Sequence, residues 1–174
     1  MLSSRIRMES LVNGAIGAAA VVVVLLFMKG YVLRGRDNMP LNTISPGTAV
    51  ALKDVRWDEG DRTVVLALSK GCHYCSDSAP FYRRLVERAR RSPRLQVVAV
   101  LPQSEEESRE YLGSLGVSIG HVKQASLDTL GVQATPTVIL VDAAGKVVRS
   151  WVGELPADEE TRAIEAIAGP GGRR

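Results

Sequence analysis

Cys72 and Cys75 are the two cysteines of this 174-residue chain, and they stand three apart in Gly71-Cys72-His73-Tyr74-Cys75. Where such a segment opens a helix, both sulfurs fall on one face, a turn apart. Their Cα atoms are then about 5–6 Å from each other, a separation that a disulfide accepts. The pair can close and open with little backbone movement. Closing so short a loop removes little entropy from the unfolded chain, so it is a poor structural staple. Two chemistries suit it better: reversible thiol–disulfide exchange and metal binding. For exchange, Cys72 is the expected nucleophile, because helix N–H groups and the positive end of the dipole stabilise its thiolate. Cys75 would then resolve the mixed disulfide. His73, when protonated, would add to that stabilisation, or it only fills the turn. Tyr74 reads as a packing or partner-contact residue rather than an acid, since a tyrosine hydroxyl ordinarily titrates near about 10.

The flanking elements must hold this pair. Thr63–Leu68 is a continuous apolar, β-branched run, the pattern of a strand covered on both faces. It ends at Ser69-Lys70-Gly71, directly before the first cysteine. From Cys75 to about Arg91 the apolar residues Phe81, Leu85, Val86 and Ala89 recur three to four apart, which predicts a helix. Pro80 is expected to kink it, and Ser92-Pro93 ends it. Leu95–Leu101 is a second buried strand. Ser104 with Glu107 three residues on predicts a capped helix that runs to Leu115-Gly116. Val117–Leu127 is weakly patterned, and Asp128–Gly131 suggests a helical turn. Val132–Val141 brings Pro136 straight into a strand, Asp142-Ala143-Ala144-Gly145 is a turn, and Lys146–Val152 forms the second arm of a hairpin. Pro156–Ala168 is a last helix. Upstream, Thr48–Val55 has strand character. The order predicts a parallel central pair of strands with helices on its faces, joined to an antiparallel hairpin.

This ordered set of features resembles the thioredoxin-like superfamily. Cys72-His73-Tyr74-Cys75 follows a buried strand, Pro80 falls five residues after the second cysteine, and Gly131-Val132-Gln133-Ala134-Thr135-Pro136-Thr137 is similar to the family's G-V-x-x-x-P-T segment. The resemblance covers roughly Thr48–Ala168. It implies an α/β thioredoxin fold, a central mixed β-sheet flanked by helices. It also implies that Pro136 is cis and faces the cysteines, and that the backbone at Thr135 pairs with an extended substrate segment by strand addition. The redox-active disulfide would itself be the redox group, with no further cofactor and no resident metal. Two departures stand out. Gly71 occupies a position where many relatives carry tryptophan, and Leu66 stands where thioredoxin has a buried aspartate. Proton transfer would then use water, His73 or another group.

Residues 11–28 are apolar apart from Asn13 and two glycines, and Ala15–Met28 carries no charge. At 1.5 Å per residue the run spans about 27 Å, close to a bilayer's hydrocarbon core. Lys29 and Tyr31 suit the interface, so the span is expected to cover residues 11–33. No small-x-small cleavage site follows, which favours an uncleaved anchor over a signal peptide. Residues 1–10 would form a short cytoplasmic segment, 34–47 a linker, 48–168 the folded domain and 169–174 a flexible tail. Arg5 and Arg7 before the span, and Lys29, Arg34 and Arg36 after it, do not choose an orientation. Thiol chemistry places the domain outside the cytoplasm, on the periplasmic or outer face. The span makes the chain similar to membrane-anchored thiol–disulfide oxidoreductases, including those that service cytochrome c maturation. The expected partners are extracytoplasmic protein thiols and disulfides, a membrane electron donor or acceptor, and lipid around the N-terminal helix. Reduction is favoured over oxidation.

The net charge of +3 is modest, and much of the basic character lies in Arg83, Arg84, Arg88, Arg90, Arg91 and Arg94. That stripe reads as a solvated helix face, or as a contact for anionic lipid or an acidic partner. Aromatic residues make up 5% and no groove-reading motif occurs, so nucleic-acid binding is not expected. Trp57 and Trp151 read as core or edge aromatics. Two rivals use the same fold. A copper-binding chaperone would ligate through Cys72, Cys75 and His121, although that family spaces its cysteines by three residues. A peroxide reductase would place Pro and Thr ahead of its cysteine, where this chain has Ser69-Lys70-Gly71. His121 otherwise reads as an ordinary surface histidine.

Overall fold

The structure, a computed structural model, describes residues 43–169. The expected cytoplasmic segment and anchor, all but the end of the linker, and the tail beyond residue 169 lie outside the described residues. Among those described, no helix is long and apolar enough to cross a membrane.

Five strands form one mixed sheet in the order β3-β2-β1-β4-β5: β1 Arg62–Ala67, β2 Leu95–Leu101, β3 His121–Gln124, β4 Thr137–Asp142 and β5 Val147–Val152. β1 runs parallel to β2 and antiparallel to β4, while β2 and β3 are parallel. The central β1 is buried from Thr63 to Ala67, as its unbroken apolar run requires. The hairpin turn closes where Asp142 Oδ1 accepts from the N–H groups of Ala144 and Lys146.

Among the described residues four helices accompany the sheet: α1 His73–Asp77, α2 Ala79–Arg90, α3 Glu105–Ser114 and α4 Ala157–Ala168. The helix expected from Cys75 to Arg91 is therefore two. The break falls at Ser78, and Pro80 sits in the first turn of α2, where its missing N–H costs nothing. Ser104 caps α3 as expected: its Oγ accepts from Glu107 N–H and donates to the Glu107 carboxylate, each at 3.3 Å.

Two apolar layers sandwich the sheet. Val64, Leu66 and Leu68 join Phe81, Tyr82, Leu85, Leu112, Ala163, Ile167 and Cys75 on one face. Val65, Ala67, Ile139 and Val141 meet Ile44, Val50, Leu130 and Val132 on the other. The mixed sheet is flanked by helices as expected, and α2, α3 and α4 all pack on the first face. The second face is closed by irregular chain and by a short 3₁₀ turn at Leu127–Leu130. The strand expected at Thr48–Val55 is likewise absent. That segment makes one bridge, Ala49 to Lys146, and buries Val50 as part of the cover. An edge strand, β3, forms instead within the weakly patterned region.

The arginine stripe is largely engaged within the fold. Arg83 donates to Leu115 O at 2.7 Å, Arg84 pairs with Glu160 on α4, Arg91 with Glu87 and Arg94 with Asp61. This matches a solvated face that ties α2 to its neighbours. Trp151 is buried, and Arg149 stacks over its ring at 5.1 Å. Trp57 packs against the second layer.

Candidate active site

The site follows from the register of three elements. Ala67, the last residue of β1, pairs with Thr137, the first of β4. The antiparallel pairing therefore brings the segment before Thr137 beside the loop that leaves β1. That loop, Ser69-Lys70-Gly71, turns sharply. Gly71 has φ +88°, a left-handed conformation that a residue with a side chain rarely adopts. Cys72 N–H donates to Ser69 O at 3.2 Å, and α1 begins immediately after.

Cys72 is the N-cap of α1, and its Sγ accepts from Cys75 N–H at 3.3 Å. It is half-buried, whereas Cys75 is fully buried; both are free thiols. The thiol of Cys72 also donates to the carbonyl of Thr135 at 3.4 Å. The Thr135–Pro136 peptide bond is cis. Thr137 helps hold the segment, because its buried hydroxyl donates to Ala134 O at 2.7 Å. Two stretches about sixty residues apart in sequence thus meet at one sulfur.

The two thiols titrate in opposite directions. Burial would raise Cys72, but its hydrogen bonds with Cys75, Thr135 and the backbone N–H groups of Cys75 and Tyr74 outweigh burial and lower it. Cys75 is pushed up to about 12, first by burial and then by its hydrogen bond with Cys72. One sulfur is readied as a thiolate at the surface, and the other is kept protonated beneath it.

The dipeptide between them points outward. The His73 side chain is 82% exposed, and its Nε2 lies 2.9 Å from Asp77 Oδ2, one helical turn along. Tyr74 is 57% exposed, edge-on to the His73 ring with centroids 6.0 Å apart. Both are presented to whatever approaches Cys72. Leu66 is fully buried in the layer that contains Cys75, and β1 carries no acid.

His121 is not brought to the cysteines. It begins β3 on the sheet edge and lines a cavity of about 540 Å³ with Glu59, Arg90, Gln96 and Ile119, away from the thiols. Among the described residues no group of three or more His, Cys, Asp and Glu is placed to hold a metal ion. The ligand set Cys72, Cys75 and His121 is therefore not assembled.

Sequence reasoning passed over several residues near the pair. Ser76 Oγ and Tyr111 Oη are 3.2 Å apart, and burial raises the Tyr111 hydroxyl above its ordinary range. Ser78, at the junction of α1 and α2, and Tyr82, on α2, are buried. Their spacing of three and seven from Cys75 was the available signal.

A family model described as a thioredoxin-like domain matches residues 50–168. No curated protein sequence matches the chain. Among solved structures, the thioredoxin domain of a thiol-disulfide oxidoreductase from Bacteroides vulgatus is similar at 18% identity and TM-score 0.57, covering 72% of this chain and 99% of its own. A candidate thiol:disulfide interchange protein DsbE from Chlorobium tepidum is similar at 24% identity and TM-score 0.55, with the same coverage of 72% and 99%. A thiol:disulfide interchange protein of the thioredoxin family from Chlorobium tepidum TLS is similar at 17% identity and TM-score 0.54, again over 72% and 99%. At these identities the likeness is one of fold.

Proposed function

Because the chain belongs to the thioredoxin-like domain family, we propose that it is a thiol–disulfide oxidoreductase that reduces disulfides of proteins outside the cytoplasm. The observation that carries this reading is the inequality of the two thiols: Cys72 half-buried at a helix cap, Cys75 fully buried one turn on. The Cys72 thiolate attacks one sulfur of a partner disulfide, and the other partner sulfur leaves with the electron pair and takes up a proton. Cys75 then loses its proton and attacks Cys72 Sγ, which releases the second partner thiol. Two electrons pass from the cysteine pair to the partner, and a Cys72–Cys75 disulfide remains. That disulfide is the redox group, so no further cofactor is required. Thr135 and Pro136 offer backbone to an extended partner segment, and His73 and Tyr74 contact it from the other side.

The apolar run at residues 11–28 supports membrane anchoring, with the domain on the periplasmic or outer face and a membrane redox partner that recharges the pair. Reductive service of this kind, including that of cytochrome c maturation, is the reading we favour over oxidation.

Two measurements test it. Cys75→Ser should trap partners as mixed disulfides through Cys72, and Cys72→Ser should trap none; the reverse pattern would overturn the roles. Equilibration against glutathione should place the Cys72–Cys75 couple at about −250 mV or below, whereas about −120 to −180 mV would mark an oxidase or isomerase.

A further inference from the structure

The core under the cysteines contains two hydroxyls that the exchange reaction does not use. Ser78 and Tyr82 are 4% and 0% exposed, and apart from their contact with each other neither Ser78 Oγ nor Tyr82 Oη has a hydrogen-bond partner. A buried hydroxyl with no further partner costs stability, so a pair of them calls for a reason. Their placement gives one. Cys75, Ser78 and Tyr82 are spaced i, i+3, i+7. The backbone ladder runs through the α1–α2 junction, with Ser78 N–H on Tyr74 O and Tyr82 N–H on Ser78 O. All three residues therefore share one helical face. The Cα of Tyr82 lies about 10 Å further along the axis than that of Cys75. Helical side chains lean towards the N-terminus, and a tyrosine is long enough to bring its hydroxyl back to the level of Ser78.

Cys75 and Tyr82 belong to the same apolar layer, and no other fully buried member of it is ionisable. Burial raises the Tyr82 hydroxyl above the ordinary phenol range, Ser78 beside it pulls the other way, and charge on Cys75, Tyr111 or Cys72 raises it further. Tyr82 accordingly keeps its proton at neutral pH. It is a donor, not a base.

We propose that Tyr82, with Ser78, is a catalytic residue of the resolving step: its buried O–H turns to donate to the Cys75 sulfur as negative charge develops there. The role falls to hydroxyls because β1 offers Leu66 at the level where an acid would act. This rests on the oxidoreductase reading. In the step, the Cys75 S–H bond breaks and its proton passes to the departing partner sulfur. A bond forms between Cys75 Sγ and Cys72 Sγ, and the bond from Cys72 to the partner breaks, with its electron pair leaving on the partner sulfur. Tyr82 neither gains nor loses a proton.

The test uses the full chain, reduced, with 5,5′-dithiobis(2-nitrobenzoate) as the disulfide. Attack by Cys72 releases one thionitrobenzoate, and attack by Cys75 on the resulting mixed disulfide releases a second. Tyr82→Phe, which keeps the ring, should leave the first phase unchanged and slow the second about tenfold. The pH midpoint of the second phase should rise by about one unit. Ser78→Ala should act in the same direction with a smaller slowing. A second phase of unchanged rate and pH profile in both variants overturns the proposal. So does equal slowing of both phases, which would mean a general disturbance of the site. A wild-type chain that releases only the first equivalent overturns the oxidoreductase reading itself, and this one with it.

Discussion

On one face of the sheet Val64, Leu66 and Leu68 meet three helices; on the other, Val65 and Ala67 meet loops and two 3₁₀ turns, Trp57–Glu59 and Leu127–Leu130. Both faces are equally dry at β1, yet they are covered by different kinds of chain. Helices satisfy their own backbone hydrogen bonds and bring side chains in dense rows. Loops must find backbone partners elsewhere, as where Gly47 N–H reaches Val147 O and Val147 N–H reaches Thr48 O. The reactive thiol is carried on the helical side. A rigid cover there keeps Cys75 fixed beneath Cys72, which exchange requires. The loop-covered side has no such duty.

The contrast breaks most visibly under core truncation. Leu85→Ala, at a fully buried position of α2, should cost about 2–5 kcal/mol in urea unfolding. Leu130→Ala on the loop-covered face should fall at the low end of that range, because irregular chain can settle into the space. Equal losses would mean that the two covers are equally rigid.

A smaller effect comes from the thiols. The folded value of Cys75, about 12, lies above its ordinary 9.0. The reduced protein therefore holds stability that is whole below about pH 9 and is lost as pH rises through about 12. Cys72 is lowered, so its contribution is present above the ordinary thiol value and lost as pH falls through its own. Denaturant midpoints should drop above about pH 9 in the reduced chain and less steeply in the disulfide form, where the raised Tyr82 and Tyr111 hydroxyls still titrate but Cys75 does not.

The smallest effect is expected at the rim. Asp77→Asn removes the partner of an 82% exposed His73. Exposed pairs contribute about 0–1 kcal/mol, so the unfolding midpoint should scarcely move.

The same contrast explains what could be read in the sequence. Phe81, Leu85, Val86 and Ala89 repeat at helical spacing because they face a flat sheet, and the β1 and β2 runs announce burial on both sides. The cysteine pair and Pro136 were visible as residues. Their meeting was visible only through the resemblance, since the register of Ala67 with Thr137 has no local signature. The loop-covered side was misread. Ala49, Val50 and Leu52 are apolar as in a strand, but Val50 and Leu52 serve as plugs of the second layer, and exposed Ala49 makes the one bridge. The edge strand His121–Gln124 was missed because one residue in four is buried, too few to set a period. Ser78 and Tyr82 escaped notice because a hydroxyl on an apolar helix face is indistinguishable from packing until its lack of an outside partner is seen.

Gly71 precedes the nucleophile with a positive φ, and a Cβ built there would meet nothing within 4 Å. What this position refuses is handedness, not bulk. A side chain is strained in that conformation, so the flank beside Cys72 stays open. An incoming partner strand would then have room over the shoulder of the sulfur, ground that a tryptophan side chain at this position would take up.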